Sequence, residues 1–163
     1  MQKDNIIIYT DGGCRGNPGI GAWGAILLSE KHNLRLEIGE SEEHTTNNKM
    51  EMQAAIKALE RLKHSYNIKL YSDSAYLVNG MNSWIYSWQK NNWIKSDKKP
   101  VENKDYWLKL IELSKKHSIE FIKVKGHSSN KENNRADEIV NILMDEHIKN
   151  GSISEFYSKT DMQ

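Results

Sequence analysis

The sequence predicts an α/β fold built on a mixed five-stranded sheet, its first three strands antiparallel, its last two parallel to the first, with helices flanking it. Two patterns predict this. Three strand-like segments come first with no helix between them, and from Thr45 onward helix-period and strand-period segments alternate. At 163 residues and 37% hydrophobic, the chain suits one domain with a substantial core.

The strands expected first are 5–12, 22–29 and 34–39. In the last of these Leu34, Leu36 and Ile38 alternate with Arg35 and Glu37, the mark of a half-buried antiparallel strand. Residues 45–63 read as a helix, with Thr45, Thr46, Asn47 and Asn48 as cap candidates and an apolar stripe through Ala54, Ala55, Ala58, Leu59 and Leu62. A strand at 68–72 follows, then short helices near 75–90 and a helix over about 104–116. The strand from Ile119 to Val124 and a helix over about 134–148 complete the order. A single domain is expected to span 1–148, with 149–163 as a C-terminal tail outside it.

No stretch approaches the ~18 apolar residues of a membrane span, and Met1-Gln2-Lys3-Asp4 does not open a signal peptide. The expectation is a cytoplasmic protein, and the single cysteine, Cys14, agrees with a reducing compartment. No Cys/His cluster has zinc-ligand spacing.

Four acids stand out. Asp11 follows Ile6-Ile7-Ile8-Tyr9-Thr10 and Asp73 follows Ile68-Lys69-Leu70-Tyr71-Ser72, so each is expected to close an apolar strand. Sites in open α/β sheets form beyond the carboxyl ends of neighbouring parallel strands. Glu51 falls within the apolar stripe of its helix at ~100° per residue, and Asp137 borders the stripe of Ala136, Ile139, Val140 and Leu143. Each acid has a plainer reading: a turn at Asp11-Gly12-Gly13, an N-cap at Asp73-Ser74, a capping box from Asn48 to Glu51, a first-turn acid at Asp137. Taken together, they suggest a carboxylate cage for Mg²⁺.

The net charge of +1 is unevenly spread: Met81 to Lys104 carries five lysines, Lys90, Lys95, Lys98, Lys99 and Lys104, against Asp97 and Glu102. Trp84, Trp88 and Trp93 interleave with them, a composition suited to a nucleic-acid backbone. The plainer alternative packs Trp84, Ile85 and Trp88 onto the core and leaves the lysines solvated.

The chain resembles a type 1 ribonuclease H, of the bacterial kind with a basic protrusion, nearly end to end. The resemblance rests on Tyr9-Thr10-Asp11-Gly12-Gly13-Cys14-Arg15-Gly16-Asn17-Pro18-Gly19, on Thr45-Thr46-Asn47-Asn48-Lys49-Met50-Glu51, on Ser72-Asp73-Ser74, on Val124-Lys125-Gly126-His127 and on Asn133-Asn134-Arg135-Ala136-Asp137. It implies a ribonuclease H-like fold and a monomeric endonuclease cutting the RNA strand of RNA/DNA hybrids without sequence preference, leaving 3′-hydroxyl and 5′-phosphate ends. It also implies two Mg²⁺ ions, with Mn²⁺ as a substitute, held by Asp11, Glu51, Asp73 and Asp137, and a proton-moving role for His127.

For the substrate, the resemblance implies Asn17, Asn47 and Asn48 facing RNA 2′-hydroxyls, with Cys14 nearby through its backbone. It further implies Thr46 and Asn103 gripping a DNA phosphate, Trp84 and Trp88 lining the DNA channel, and the protrusion's lysines, Lys90, Lys98 and Lys99 among them, drawing in the hybrid. Ala75 departs from a Gln of some relatives that reaches the RNA strand, and Phe121 and Lys123 replace tryptophans. DNA-cutting enzymes that share the sheet, and a hybrid binder that no longer cuts, are the alternatives.

Overall fold

The structure, a computed structural model, describes residues 3–126 and 129–162. β1 (Asp4–Arg15), β2 (Gly19–Ser29) and β3 (Leu34–Thr45) form an antiparallel meander. α1 (Asn47–Glu60) crosses over to β4 (Tyr66–Ser72), which runs parallel to β1. α2 (Ala75–Asn79), a π-helical turn (Gly80–Trp84) and α3 (Ile85–Lys90) lead into the basic segment, and α4 (Lys104–Ser114) returns to β5 (Ser118–Lys123), parallel to β4. α5 (Lys131–Asn150) is the longest helix, and β6 (Glu155–Asp161) adds antiparallel to β3. The sheet order is β5-β4-β1-β2-β3-β6.

The mixed sheet is as predicted, with six strands rather than five. The difference lies in the segment expected as a tail: residues 155–161 are a strand, in which Phe156 and Ser158 turn partly inward while Tyr157 and Lys159 face solvent. Its polar composition hides it in the sequence. Tertiary contacts hold it instead, with Ser154 N donating to Ser41 Oγ at 2.7 Å, Ser41 N donating to Ser154 O at 2.9 Å, and the Arg61 guanidinium 5.3 Å above the Tyr157 ring.

Helix ends follow their caps. Thr45 stays in β3, and Thr46 caps α1 by accepting from Lys49 N at 3.2 Å, so α1 starts later than 45. Asn130 caps α5 by accepting from Asn133 N at 2.9 Å, which starts that helix earlier than expected, and Gly151 at φ 68° ends it.

Each face of the sheet carries its own core. α1, α2 and α4 bury Ile8, Met50, Leu59, Leu70, Trp107 and Leu110 on one side, and α5 buries Ala22, Ile26, Ile139, Val140 and Leu143 on the other. Because α5 covers β3, the polar side of the 34–39 alternation is not open to water: Glu37 is only 7% exposed. The basic segment is tied to the first core through rings, since buried Trp107 lies 5.2 Å from Tyr76 and 5.5 Å from Trp88, and Trp88 in turn contacts Trp84 and Trp93. No helix among the described residues is long and apolar enough to cross a membrane.

Position 80, where the π-helical turn begins, requires glycine because Trp107 occupies the space a side chain would need; a Cβ there would lie 2.0 Å from the indole Cη2. Gly80→Ala is expected to cost about 1–3 kcal/mol of stability, as overpacking does, measured by urea unfolding followed by circular dichroism. An unchanged midpoint would show that Trp107 yields at no cost.

Candidate metal centre

The parallel pairing of β1 with β4 ends at Thr10 opposite Ser72, so the next residue on each strand is a carboxylate, Asp11 beside Asp73. Asp11 does not close β1, as the sequence led us to expect. The strand runs on to Arg15 against β2, with Asp11 opposite Gly24, and what ends at Asp11 is the pairing with β4. Asp11 therefore has a paired strand on one side and no strand partner on the other, yet it stays buried.

Glu51 joins them from the first turns of α1. A Cβ on Gly12 would lie 2.3 Å from the Met50 carbonyl carbon and 2.5 Å from Glu51 N, so the close approach of α1 to β1 requires glycine at that position. Carboxylate oxygens of Asp11, Glu51 and Asp73 all fall within 4.8 Å of one another. Asp137, on α5, approaches Asp11 from the opposite side of the sheet, outside that trio.

The plainer readings of these acids do not describe the molecule. The cap of α1 is Thr46, so Glu51 has no capping partner three residues before it at Asn48; the cap of α2 is Ser74, which accepts from Leu77 N at 3.1 Å, rather than Asp73. Asp137 lies in the second turn of a helix that begins at Lys131, and Asp11 lies in a paired strand rather than a turn.

Burial and then the charges of Asp73 and Asp137 push the Asp11 carboxyl up to about 9, with the Gly12 backbone opposing the rise. Burial, with Asp11 and Asp73 next, pushes Glu51 well above the usual carboxylate range. Glu51 Oε1 is buried and has no hydrogen-bond partner, and among the described residues no ion pair reaches any of the four acids. A hard divalent cation fits this set: its ligands are oxygens, it satisfies the orphaned Oε1, and it relieves the mutual repulsion.

His127 lies outside the described residues. Its neighbour Gly126 packs against the acids, where a Cβ would lie 3.3 Å from Asp73 Oδ2. Of the residues expected at a substrate surface, Asn17 and Asn47 are brought together, with Asn47 N donating to Asn17 Oδ1 at 3.1 Å. The Cys14 thiol points at the carbonyls of Gly16 (2.7 Å) and Thr45 (3.2 Å), which fastens the β1–β2 turn to the entry of α1 beside Thr46, Asn47 and Asn48. A groove of about 970 Å³ gathers Tyr76, Trp84, Trp88, Lys90, Lys95 and Lys98; Lys99 does not line it. Asn103, at φ 58°, donates from its amide to Tyr76 Oη at 3.1 Å. Glu37 was not singled out in the sequence, because its alternation with leucines matched a solvent-facing strand position.

A carboxyl raised from 3.8 to about 9 makes the metal-free fold bind a proton that the unfolded chain has released, so stability falls as pH rises between those values. Asp11→Asn is expected to melt higher than the wild type without metal, with the gap widening from pH 5 to pH 9 in a thermal scan. A gap that stays constant with pH would remove the strain assigned to Asp11.

A family model described as RNase H matches residues 3–143. The Ribonuclease H of Caldanaerobacter subterraneus subsp. tengcongensis is 53% identical over 152 residues, covering 91% of this chain and 98% of that one. The Ribonuclease H of Clostridium botulinum strain Hall is 52% identical over 150 residues, 90% and 98% of the two chains. LC11-RNase H1, solved in complex with an RNA/DNA hybrid, superposes with a TM-score of 0.68 at 30% identity over 88% of this chain and 99% of that one. LC9-RNase H1, at 23% identity and a TM-score of 0.81, shares the fold over 96% of this chain and 79% of that one. With the fold, the clustered acids and these likenesses in agreement, the chain belongs to the ribonuclease H family.

Proposed function

We propose that this protein is a divalent-metal-dependent endoribonuclease that hydrolyses the RNA strand of RNA/DNA hybrids, leaving 3′-hydroxyl and 5′-phosphate ends without sequence preference. The observation that carries the reading is the convergence of Asp11, Glu51 and Asp73 within 4.8 Å in a chain of this family, with Glu51 Oε1 buried and unpartnered. LC11-RNase H1 in its hybrid complex supports the substrate.

Asp11, Glu51, Asp73 and Asp137 would hold two Mg²⁺ ions, or Mn²⁺ in their place. When bound, such ions neutralise the phosphate, lower the pKa of the attacking water and stabilise the leaving oxygen. Asp11 touches the largest share of the site, because its carboxyl faces Asp73 and Asp137 and adjoins Glu51. His127 would move a proton near the scissile bond. Asn17, Asn47 and Asn48, with the backbone at Cys14, suit a face that recognises ribose 2′-hydroxyls, the groups that distinguish RNA from DNA. Thr46 and Asn103 would hold a phosphate of the DNA strand. The groove of Trp84, Trp88, Lys90 and Lys98 suits a sugar-phosphate backbone, and Lys99 would add to the positive charge of the same segment. Contacts of this kind carry little base information, which supports cleavage without sequence preference. In this reading the catalytic domain covers 1–148 with β6 as an added edge strand, and the protein works as a cytoplasmic monomer.

One assay separates this reading from a DNA nuclease and from a binder that does not cut. The purified protein with Mg²⁺ is expected to cleave RNA/DNA hybrid and to leave double-stranded RNA, double-stranded DNA and single-stranded RNA intact. Asp11→Asn is expected to abolish cleavage, and His127→Ala to slow it by roughly 10²-fold. Cleavage of hybrid by Asp11→Asn at the wild-type rate would refute the assignment.

A further inference from the structure

α5 lies over β2, with β1 on one side of it and β3 on the other. Its buried face is apolar at Ala136, Ile139, Val140 and Leu143, and apolar contact holds a helix close but has no direction; the polar tie of His147 to Ser41 Oγ at 2.7 Å lies ten residues, about 15 Å, beyond Asp137. Side-chain tips stand about 5–6 Å from a helix axis, so a roll of about 20° would carry the Asp137 carboxyl by roughly 2 Å. A metal ligand needs placement to within about 0.5 Å. A directional restraint is therefore required on α5.

Glu37 supplies one. Buried on β3, it accepts from Arg135 Nε (3.1 Å) at Oε2 and from Arg135 Nη2 (3.0 Å) at Oε1, a forked pair to the helix. Its Oε2 also accepts from Arg35 Nε (3.0 Å) and Nη2 (2.8 Å), and Arg35 makes a second fork to Glu132, in the first turn of α5, at 2.7 and 2.8 Å. Arg135 further pairs with Glu138 and lies over the Phe156 ring at 5.5 Å. Arg135 and Asp137 are two residues apart, about 200° around the helix. The clamp on the β3 flank and the carboxylate on the β1 flank are thus opposite ends of one lever.

Burial pushes the Glu37 carboxyl up, but the guanidiniums of Arg135 and Arg35 outweigh it and hold the group below its usual range. A buried ion pair of this kind adds little net stability compared with an apolar replacement, and its best-attested use is to specify geometry.

We infer that Glu37 is a positioning residue, which fixes the roll of α5 through Arg135 and, by way of Arg35, through Glu132, and so sets Asp137 beside Asp11. The inference rests on the proposed metal site, and touches it only through the helix.

The test compares the wild type with Glu37→Gln, which keeps size but presents an amide to two guanidiniums, and with Arg135→Lys, which keeps charge but loses the fork. All are assayed where circular dichroism shows full folding. For Glu37→Gln, kcat on hybrid is expected to fall about tenfold, in the range for partners that orient metal ligands, with KM within about twofold. The rise in Tm on adding millimolar Mg²⁺ should shrink to less than half. Arg135→Lys should move both readouts the same way, and it carries the test if Glu37→Gln fails to fold, while Glu37→Asp should recover part of both. A lowered metal-free Tm with kcat and the Mg²⁺-induced Tm rise intact would overturn the inference and leave a purely structural clamp. A wild type that neither cuts hybrid nor gains Tm with Mg²⁺ would instead overturn the proposed function.

Discussion

The arrangement depends on forcing like charges together. Parallel pairing of β1 with β4 leaves Asp11 and Asp73 as neighbours, and the absence of a side chain at Gly12 lets α1 press Glu51 against them. None of the three could relax away cheaply. Two follow directly on the β1–β4 register, and the third sits on a helix whose same stripe, through Ala54, Ala55 and Leu59, is buried in the larger core. Repulsion among the acids is thus set against hydrophobic burial on both faces of the sheet, and burial wins because it acts over many residues while the repulsion is local.

The same reasoning shows why much of the site was legible in the sequence. Asp11 and Asp73 each follow an apolar run, and Glu51 breaks an apolar stripe; both signals come from local periodicity, and the fold preserves local periodicity. The register that sets Asp11 beside Asp73 is a relation between strands and leaves no local trace. The end of a pairing was accordingly mistaken for the end of a strand at Asp11. β6 and Glu37 were illegible for a related reason: β6 is polar in composition and Glu37 looks solvent-facing by alternation, and only a distant element, β3 pairing with one and α5 covering the other, gives them a role.

The tryptophans of the basic segment show how one set of residues can serve two ends. Trp107 is fully buried against Tyr76 and Trp88, which anchors the segment, whereas Trp84 at the far end of the same chain of rings remains 37% exposed beside Lys90 and Lys98. The choice between packing and binding that the sequence left open is therefore graded along the cluster, from a core end to a surface end.

Charge is divided in space by the same design. A pocket of buried acids repels a phosphodiester unless cations fill it, so it cannot be the source of affinity for a polyanion. Attraction has to come from elsewhere, and the lysine-lined groove, built on a different part of the chain and facing solvent, can supply it without raising the charge on the acids. Surface lysines are screened by salt, whereas interactions among the buried carboxylates are screened far less. Ionic strength therefore acts on the capture of a nucleic acid separately from the chemistry at the acids, and a net charge of +1 conceals two opposed fields kept apart by the fold.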